Sequence, residues 1–323
     1  MTVKESVLEA LETSKGQSLS GEILAEAMGV SRAAVHKAIK SLREEGYEIE
    51  AATNKGYRLS ADSDLLSAQG MGAHLSEQLK ALPFYVYKTI DSTNDEAKRL
   101  ALNGAGHGTA VLAFHQSRGR GRLGRTFISP ANSGIYMSVL LKPTFDLSQS
   151  VLVTTAASVA VARAIEAVCG KNPQIKWVND IYVDGKKVCG ILTEAMTDFE
   201  TGQIQHLILG MGINCSTDGF PPDLLDIAGA LEGDFTKNEL AAQVLNQLMP
   251  LMDQLEERTF IEDYKKHSMV LGKTIRVYRG GYEKHAPGRA ARALDIDQNG
   301  GLRVLYSSGE QETLSSGEIS IRL

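Results

Sequence analysis

Apolar and polar residues at the start of the chain follow the spacing of three short helices. Apolar residues recur every three or four positions over residues 3–11, and Gly16 follows as a stop. Ser20 and Ser31 each precede a further stretch of this kind, and serine is favoured at the N-cap of a helix. The pattern therefore predicts one helix at the start, a second after Ser20, and a third from Ser31 to about Glu45.

A hairpin follows the third predicted helix. Residues 47–59 alternate between apolar and polar side chains on both sides of the turn 54–56. The second and third helices are joined by a turn that contains Gly29, as in helix-turn-helix motifs. These elements predict a winged helix-turn-helix domain over residues 1–62.

Residues 65–270 alternate between helical and strand patterns, which predicts one larger α+β domain. The predicted helices are 94–103, 151–168 and 237–257. The predicted strands are 84–88, 109–116, 135–141, 175–178, 187–194 and 205–210. Several strands follow each other directly through turns, notably Asp184-Gly185, and such hairpins argue against a doubly wound parallel sheet.

Residues 272–323 contain only short strand patterns separated by Gly, Asn and Ser turns, which predicts a small β-barrel. The predicted fold is therefore an α+β multidomain protein. A hydrophobic content of 43% is enough for a buried core. The start has no apolar signal core, and we expect no apolar run long enough to span a membrane.

Three cysteines place the chain in a reducing compartment. Cys169, Cys189 and Cys215 form no CxxC pair and have apolar neighbours. They are interpreted as buried free thiols in a cytoplasmic protein.

The distribution of charge in the first domain favours DNA binding, although its total charge does not. Residues 1–60 carry eight Lys/Arg against nine Glu, but residues 29–43 carry four Lys/Arg and no acid, and Arg58 adds a cation in the wing. Phosphate contacts need a local positive face, which favours DNA binding over a purely structural interaction domain. The candidate DNA contacts are Ser31, Arg32, His36, Lys37, Lys40 and Lys55.

The stretch SRGRGRLGR at residues 117–125 concentrates arginine and glycine in a chain of net charge -5. Gly119, Gly121 and Gly124 spell GxGxxG, but a dinucleotide fingerprint must open a helix, and here Pro130 and a glycine turn follow. A disordered basic tract is also disfavoured, because the stretch lies between two predicted strands. We interpret it as a flexible loop that closes on an anion, with arginine as the donor.

Five motifs give the chain a family resemblance. They are Gln116 with the loop 119–125, DSTN at 91–94, KWVND at 176–180, KVCGILTE at 187–194 and GMGIN at 210–214. In this order and spacing the chain resembles the biotin–protein ligases over essentially its full length, and specifically the bifunctional group that combines ligase and biotin-operon repressor. The resemblance implies a class II synthetase-like catalytic domain and an SH3-like C-terminal barrel.

The resemblance also implies an activity and its partners. Biotin and Mg-ATP would give biotinyl-5'-AMP and pyrophosphate, and the biotinyl group would then pass to a lysine of a biotin carboxyl carrier protein. ATP and Mg²⁺ are the implied cofactors. The implied repressor binds palindromic operator DNA as a homodimer when it holds the adenylate, and it has no membrane partner.

Roles are carried over to matching positions of this chain. Lys187, Arg122 and Asp180 are the implied catalytic residues, and Asp180 is also the implied Mg²⁺ ligand. The implied biotin-binding residues are Ser92, Thr93, Asn94, Gln116, Arg120, Gly121, Arg122 and Lys187. The implied ATP- or adenylate-binding residues are Arg120, Arg122, Arg125, Phe127, Asn179 and Asn214. From the residues alone, Ser92 to Asn94 could equally cap a helix, Asn179-Asp180 could be a turn, and Lys187 could be a solvated lysine.

Two positions depart from the family pattern, and two other functions remain open. Val178 stands where relatives usually have proline, and Leu123 replaces an arginine of some members. One alternative is a biotin-sensing repressor whose ligase activity is vestigial. The other is an enzyme that attaches lipoate or another acyl acid on a related fold.

Overall fold

The computed structural model describes residues 1–52, 56–142, 150–198, 200–201, 203–278, 288–315 and 318–321. The chain forms two compact units. The first is Met1–Ala81 with Phe235–Gln243, and the second is Leu82–Asp234 with Val244–Leu323.

The first unit confirms the predicted winged helix. Its elements are α1 (Val3–Thr13), β1 (Ser18–Leu19), α2 (Gly21–Ala27), α3 (Arg32–Glu45), β2 (Ile49–Ala52) and β3 (Gly56–Leu59). Ser20 and Ser31 cap α2 and α3 as predicted, since their side chains accept hydrogen bonds from the backbone N–H groups of Glu22 and Ala34. The apolar stripe of α3 is buried in the core of this unit. The short β1 was not predicted, because two residues carry no periodic signal, and it pairs with β3.

A polar anchor joins the segment after the wing to the start of α7 (Lys237–Asp253) within the first unit. Asp64 accepts from both the backbone N–H and the Nζ of Lys237, each at 2.6 Å. Asn238 accepts from the N–H of Ser67 at 3.0 Å and donates to the carbonyl oxygen of Leu65 at 2.8 Å. These bonds position the short helix α4 (Ala68–Gly72), which the sequence reading missed.

A seven-stranded sheet forms the centre of the second unit and confirms the α+β prediction. Its strands are β4 (Phe84–Tyr87), β5 (Ala110–Ala113), β6 (Gly134–Leu141), β7 (Gln174–Lys176), β8 (Asp180–Val183), β9 (Lys186–Thr197) and β10 (Ile204–Asn214). They lie in the order β4-β5-β6-β10-β9-β8-β7, and β4–β5 is the one parallel pair. The predicted strand 109–116 is too long, because the chain leaves the sheet after Ala113. The Asp184-Gly185 hairpin between β8 and β9 is confirmed, with both residues at positive φ.

Two helices cover opposite faces of this sheet. On α5 (Thr93–Leu102), Ala97 and Ala101 pack against Ile208 of β10. On the other side, Thr154 of α6 (Ser150–Cys169) forms a hydrogen bond of 2.8 Å with Thr193 of β9. Neighbouring residues of a strand point to opposite faces of the sheet. Glu194 pairs with Ile208 and shares its face, whereas Thr193, the residue before Glu194, points to the other face. The α5 face and the α6 face are therefore distinct.

One helix is long and apolar enough, by length and composition alone, to cross a membrane, contrary to the expectation from the sequence. The 20-residue helix α6 has an 18-residue window with a mean hydropathy of 1.7. However, 67% of that window is buried inside the protein. Helix α6 packs between the sheet and the unpredicted helix α8 (Ile261–His267), and this burial accounts for its apolar composition.

The described residues between 272 and 321 contain strands and turns, and the predicted β-rich C-terminal domain is confirmed. Its strands are β11 (Thr274–Tyr278), β12 (Arg289–Ile296), β13 (Leu302–Tyr306), β14 (Gln311–Leu314) and β15 (Glu318–Ile321). They form one antiparallel sheet in the order β14-β13-β12-β11-β15. The turn at Gly300 reaches the seven-stranded sheet, where its carbonyl oxygen accepts a hydrogen bond of 3.0 Å from the indole of Trp177.

Candidate active site

A cleft on the α5 face brings together the start of α5, the segment 116–127 and the strands β9 and β10. Six of the predicted site residues line it. The lining is Ser92, Thr93, Asn94, Gln116, Arg120, Phe127, Gly190, Leu192, Gly210, Met211 and Gly212. Segments more than a hundred residues apart in the chain thus form one binding site.

One part of the cleft carries a chain of hydrogen bonds. The Oε1 of Gln116 accepts from the backbone N–H of Thr93 at 2.8 Å and from its hydroxyl at 3.1 Å. Ser138 donates from one hydroxyl to Thr93 at 2.7 Å or to the Oδ1 of Asn94 at 2.6 Å. The Nε2 of Gln116 donates to Ser129 at 2.9 Å. These hydroxyls and amides, all buried except the half-buried Gln116, give the cleft a fixed set of donors and acceptors for a polar ligand.

The simple capping role for Ser92 to Asn94 is wrong. Ser92 occupies the N-cap of α5, but its side chain makes no capping hydrogen bond. The first free N–H of the helix, that of Thr93, is bound instead by Gln116 from another segment. The Ser92, Thr93 and Asn94 side chains face the cleft.

Three glycines form the floor of the cleft. A Cβ on Gly212 would lie 2.4 Å from the ring of Phe127, and one on Gly210 would lie 2.2 Å from the Oδ1 of Asn94. Gly190 lies beside Gly212 on the neighbouring strand. The absent side chains therefore let Phe127 and Asn94 lie directly on the sheet. The motif GMGIN is visible in the sequence, but the packing of Phe127 and Asn94 against its glycines is not.

Four charged side chains form a cluster at the cleft. Arg120 pairs with Asp95 and lies 3.8 Å from Glu194. Glu194 accepts from Lys98 and from the amide of Asn94, each at 2.7 Å. Burial opposes ionisation of Glu194, but the hydrogen bonds from Lys98 and Asn94 outweigh it, so its pKa lies below the usual value. Asp95 and Lys98 carry no local signal in the sequence, and Glu194, although it ends the motif KVCGILTE, was not among the predicted site residues.

The arginine–glycine loop has an ordered backbone. Phe127 N–H donates to the carbonyl oxygen of Gly119 at 2.9 Å, and Gly121 N–H donates to that of Arg125 at 2.8 Å. A Cβ on Gly119 would lie 2.4 Å from the carbonyl oxygen of Phe127. Close approach of two strands of the loop, and not only freedom of movement, therefore requires glycine at position 119.

Lys187 reaches the same floor because of an irregularity in β9. The register between β8 and β9 shifts so that Ile181 pairs with Cys189 but Tyr182 pairs with Lys187. This bulge changes the alternation of side chains. The Nζ of Lys187 consequently lies 3.2 Å from the position of a Cβ on Gly190, on the cleft side. Simple alternation along β9 would put Cys189 and Ile191 on the face of Lys187, but the register shift breaks this alternation, and both side chains are buried.

Asp180 forms an ion pair of 2.6 Å with the ammonium of Lys187. The lysine is therefore not simply solvated, and its side chain is two-thirds buried. Among the described residues no group of three or more His, Cys, Asp or Glu could hold a metal ion. A single carboxylate is nevertheless the kind of ligand that Mg²⁺ takes when phosphate oxygens supply the remainder.

Arg122 lies away from Arg120, in a second cleft on the α6 face. This cleft is lined by Arg122, Ser150, Val151, Thr154, Val178, Ile191, Thr193 and Ser315. Arg122 donates to the Oδ1 of Asn179 at 3.1 Å, and Asn179 donates to the carbonyl oxygen of Ile191 at 2.7 Å. Asn179 thus joins the loop to β9 and does more than form a turn.

Val178 and Asn214 each form hydrogen bonds with distant parts of the chain. The Trp177–Val178 peptide is cis, and the carbonyl oxygen of Val178 accepts from the hydroxyls of Tyr264 at 3.1 Å and Ser158 at 3.3 Å. Asn214 is buried at the end of β10, where its amide donates to the carbonyl oxygen of Gly229 at 2.9 Å. Its predicted contact with adenine stays a prediction.

The exposed face of α3 carries most of the predicted DNA contacts. Arg32, His36, Lys37 and Lys40 are all exposed. Arg58 is neutralised by Glu50 across the wing at 2.6 Å, which removes the cation expected there. Lys55 lies outside the described residues.

Comparison with known proteins matches the whole chain. Residues 86–214 match the Biotin/lipoate A/B protein ligase family, residues 3–58 match the HTH domain, and residues 270–322 match the Biotin protein ligase C terminal domain. The Bifunctional ligase/repressor BirA of Bacillus subtilis is 38% identical over 98% of each chain. That of Escherichia coli is 28% identical over 95% of this chain and 94% of its own.

A solved structure shares the fold of the catalytic part. The biotin protein ligase from Aquifex aeolicus in complex with biotin and ATP has a TM-score of 0.61 and 28% identity, and it covers 74% of this chain and 98% of its own. The winged helix, the ligase sheet and the C-terminal domain of this chain each match a family model, and the Bacillus protein is similar over 98% of this chain. The chain therefore belongs to the BirA family of bifunctional ligase/repressors.

Proposed function

We infer that this chain is a biotin–protein ligase that also represses transcription. It activates biotin with ATP, transfers the biotinyl group to a carrier protein, and binds DNA through its winged helix. One observation of the site carries the ligase assignment. The glycine-floored cleft joins a polar end, built on Thr93 and Gln116, to the ammonium of Lys187.

The first step joins two anions. A carboxylate oxygen of biotin attacks the α-phosphorus of ATP, the bond to the bridging oxygen of the β-phosphate breaks, and pyrophosphate leaves with the electron pair. Lys187 and Arg120, which lie at the glycine-floored cleft, neutralise the converging negative charge, and Arg122 and Arg125 would join them only if the loop moves toward the phosphates. Asp180 would hold Mg²⁺ beside Lys187, and Mg²⁺ would offset the charge of the phosphate oxygens.

The polar end of the cleft selects biotin by hydrogen bonding. A ureido ring presents both N–H donors and a carbonyl acceptor, which suit the side chains of Ser92, Thr93, Asn94 and Gln116. Lipoate and octanoate have no such groups at that end. They would leave these buried polar atoms unpaired, a cost that discriminates strongly against an analogue.

In the second step the neutral amine of a carrier lysine attacks the acyl carbon, the bond from that carbon to the phosphate oxygen breaks, AMP leaves with the electron pair, and the nitrogen loses a proton to solvent. Phe127 lies on the glycine floor and would cover the adenylate against water. Asn179 and Asn214 would contact the nucleotide, and Gly121 would allow the loop to approach biotin closely.

One assay separates this function from its alternatives. The protein is incubated with ATP, radiolabelled biotin and a carrier domain, with unlabelled lipoate or octanoate as competitors. We expect labelled carrier in every case. Adenylate without labelled carrier, or no reaction, would support a repressor with a vestigial ligase. Loss of label on adding lipoate or octanoate would support an acyl-acid ligase of other specificity.

We propose further that biotinyl-5'-AMP favours a homodimer that binds a palindromic operator. A single winged helix with few free cations makes few phosphate contacts, so it would bind DNA weakly. Two copies on a two-fold-symmetric site raise the effective concentration of the second. Such a protein works in the cytoplasm, where its free cysteines stay reduced.

Titration of labelled operator DNA, with and without biotin plus ATP, tests this coupling. DNA and adenylate must strengthen each other's binding by the same factor. We expect tighter DNA binding and a dimer in sedimentation only when the adenylate is present. Equal affinity and equal mass under both conditions would leave a ligase with an uncoupled DNA-binding domain.

A further inference from the structure

Arg120 is held by the protein's own carboxylates. Its guanidinium pairs with Asp95 in the first turn of α5 and lies 3.8 Å from Glu194. Glu194 is already bound by Asn94 and Lys98, both at 2.7 Å. Asp95 is therefore the principal partner of Arg120. Arg120 lines the cleft, whereas Asp95 is not among the lining residues.

We propose that Asp95 is an internal competitor that sets the affinity for the ligand carboxylate. Asp95 holds the guanidinium until the carboxylate of biotin takes its place. This inference rests on the proposed function, since it needs Arg120 to bind biotin.

When Arg120 leaves Asp95 for the ligand, Asp95 and Glu194 both keep Lys98 as a cationic neighbour. Lys98 lies 3.9 Å from Asp95 and remains beside it when Arg120 turns to the ligand. The side chains of Arg120 and Asp95 are 41% and 29% exposed, so solvent also screens the pair. Ion pairs of this kind contribute about 0.2–1 kcal/mol, so the competition changes affinity by a factor of about 1.4 to 5.

Asp95→Asn tests the proposal because we expect it to tighten biotin binding, whereas a substitution that merely disrupted the site would weaken it. The variant keeps the shape of the side chain but releases the guanidinium. In calorimetry with the full chain, we expect the dissociation constant for biotin to fall by a factor of about 1.4 to 5. Binding of biotin methyl ester, which has no carboxylate, should not change. Glu96→Gln is the matched control, since Glu96 binds Tyr87 and Arg99 instead of the loop.

A double-mutant cycle isolates the pair. In the Arg120→Gln background, Asp95→Asn should have no effect on biotin binding. Unchanged or weaker biotin binding by Asp95→Asn alone, or an equal gain for the methyl ester, would overturn the proposal while leaving the ligase function intact. If the unaltered protein binds no biotin, the proposed function itself fails, and this inference fails with it.

Discussion

The shape of the cleft depends on the absence of single Cβ atoms in its floor. Glycine at positions 190, 210 and 212 leaves space that Phe127, Asn94 and Lys187 use. Each of these side chains then meets a partner from another segment, as Lys187 meets Asp180. Removing or adding one group at this scale should therefore change ligand binding before it changes the fold.

Gly212→Ala should weaken biotin binding while the protein stays folded. The added methyl group would lie 2.4 Å from the ring of Phe127, which must swing off the floor. Overpacking of this kind costs about 1–3 kcal/mol, which corresponds to a roughly five- to hundredfold loss of affinity. Gly106→Ala is the control, because nothing lies within 4 Å of its Cβ position. Equal binding by both variants would show that the floor does not contact the ligand.

Lys187→Ala should slow adenylate formation and leave biotin binding partly intact. A charge-assisted hydrogen bond lost from the transition state costs about 1.5–3 kcal/mol, which slows the step about ten- to hundredfold. Pyrophosphate release measures that rate. Lys186→Ala is the neighbouring control, since Lys186 is exposed and bonds the carbonyl oxygen of Leu225. Normal release by the Lys187 variant would remove this residue from the catalytic set.

Burial of Glu12 in the winged helix should make stability depend on pH. Desolvation raises its pKa to about 7 from 4.5, and Lys15 at 3.8 Å only partly opposes this. Because the folded pKa is the higher one, the folded state holds its proton longer, and stability falls as pH rises from about 4.5 to about 7. The loss is at most about 3 kcal/mol, since one pKa unit corresponds to about 1.4 kcal/mol.

Glu12→Gln should remove this dependence. Melting of the full chain at pH 5 and pH 8 measures it, with the exposed Glu9→Gln as control. A variant whose melting temperature still falls between these pH values, as in the parent, would contradict the assignment.

At the scale of elements, hydrogen bonds from two helices stabilise the turn before β8. Ser158 of α6 and Tyr264 of α8 both donate to the carbonyl oxygen of Val178. Asn179 and Asp180 follow directly, so packing of α6 and α8 positions two residues of the proposed site. This support keeps the segment in place although Val178 is not proline.

Tyr264→Phe should lower stability and slow adenylation together. Loss of one buried hydrogen bond costs about 1 kcal/mol, and Asn179 and Asp180 lose part of their support. The melting temperature and the rate of pyrophosphate release report the two effects. Tyr306→Phe removes a hydroxyl that bonds Glu312 in the C-terminal sheet, so it should leave adenylation unchanged. Full activity of the Tyr264 variant would assign the residue to stability alone.

At the scale of the whole molecule, DNA binding and ligation use separate parts of the chain. The proposed ligase residues all lie beyond Asp91, and the proposed DNA contacts lie within residues 31–55. Residues 63–81 belong to the first unit, where Asp64 and Ser67 bind the first turn of α7. A truncation that removes the winged helix but keeps this anchor must therefore end before Asp64.

Deletion of residues 1–62 should abolish operator binding and preserve adenylate synthesis. The hydrogen bonds of Lys237 and Asn238 survive this cut, whereas deletion of residues 1–72 removes their partners. The longer deletion should therefore melt at a lower temperature. Loss of adenylate synthesis in a folded shorter deletion would show that the winged helix contributes to the active site.

Local signals in the sequence determined several elements and the family. Ser20 and Ser31 cap helices where predicted, and Asp184-Gly185 forms the predicted hairpin, because caps and tight turns depend on a few adjacent residues. The order of five motifs was enough to identify the ligase family, which the comparisons confirm. The individual roles of the site residues stay predictions.

Tertiary structure alone decided the arrangement of charges and faces. Glu194 meets Asn94 across one hundred positions, and Arg120 and Arg122 enter different clefts although one residue separates them. A bulge moves Lys187 to the cleft side of β9. None of this follows from periodicity, because pairing between distant segments and strand register depend on how the whole sheet packs.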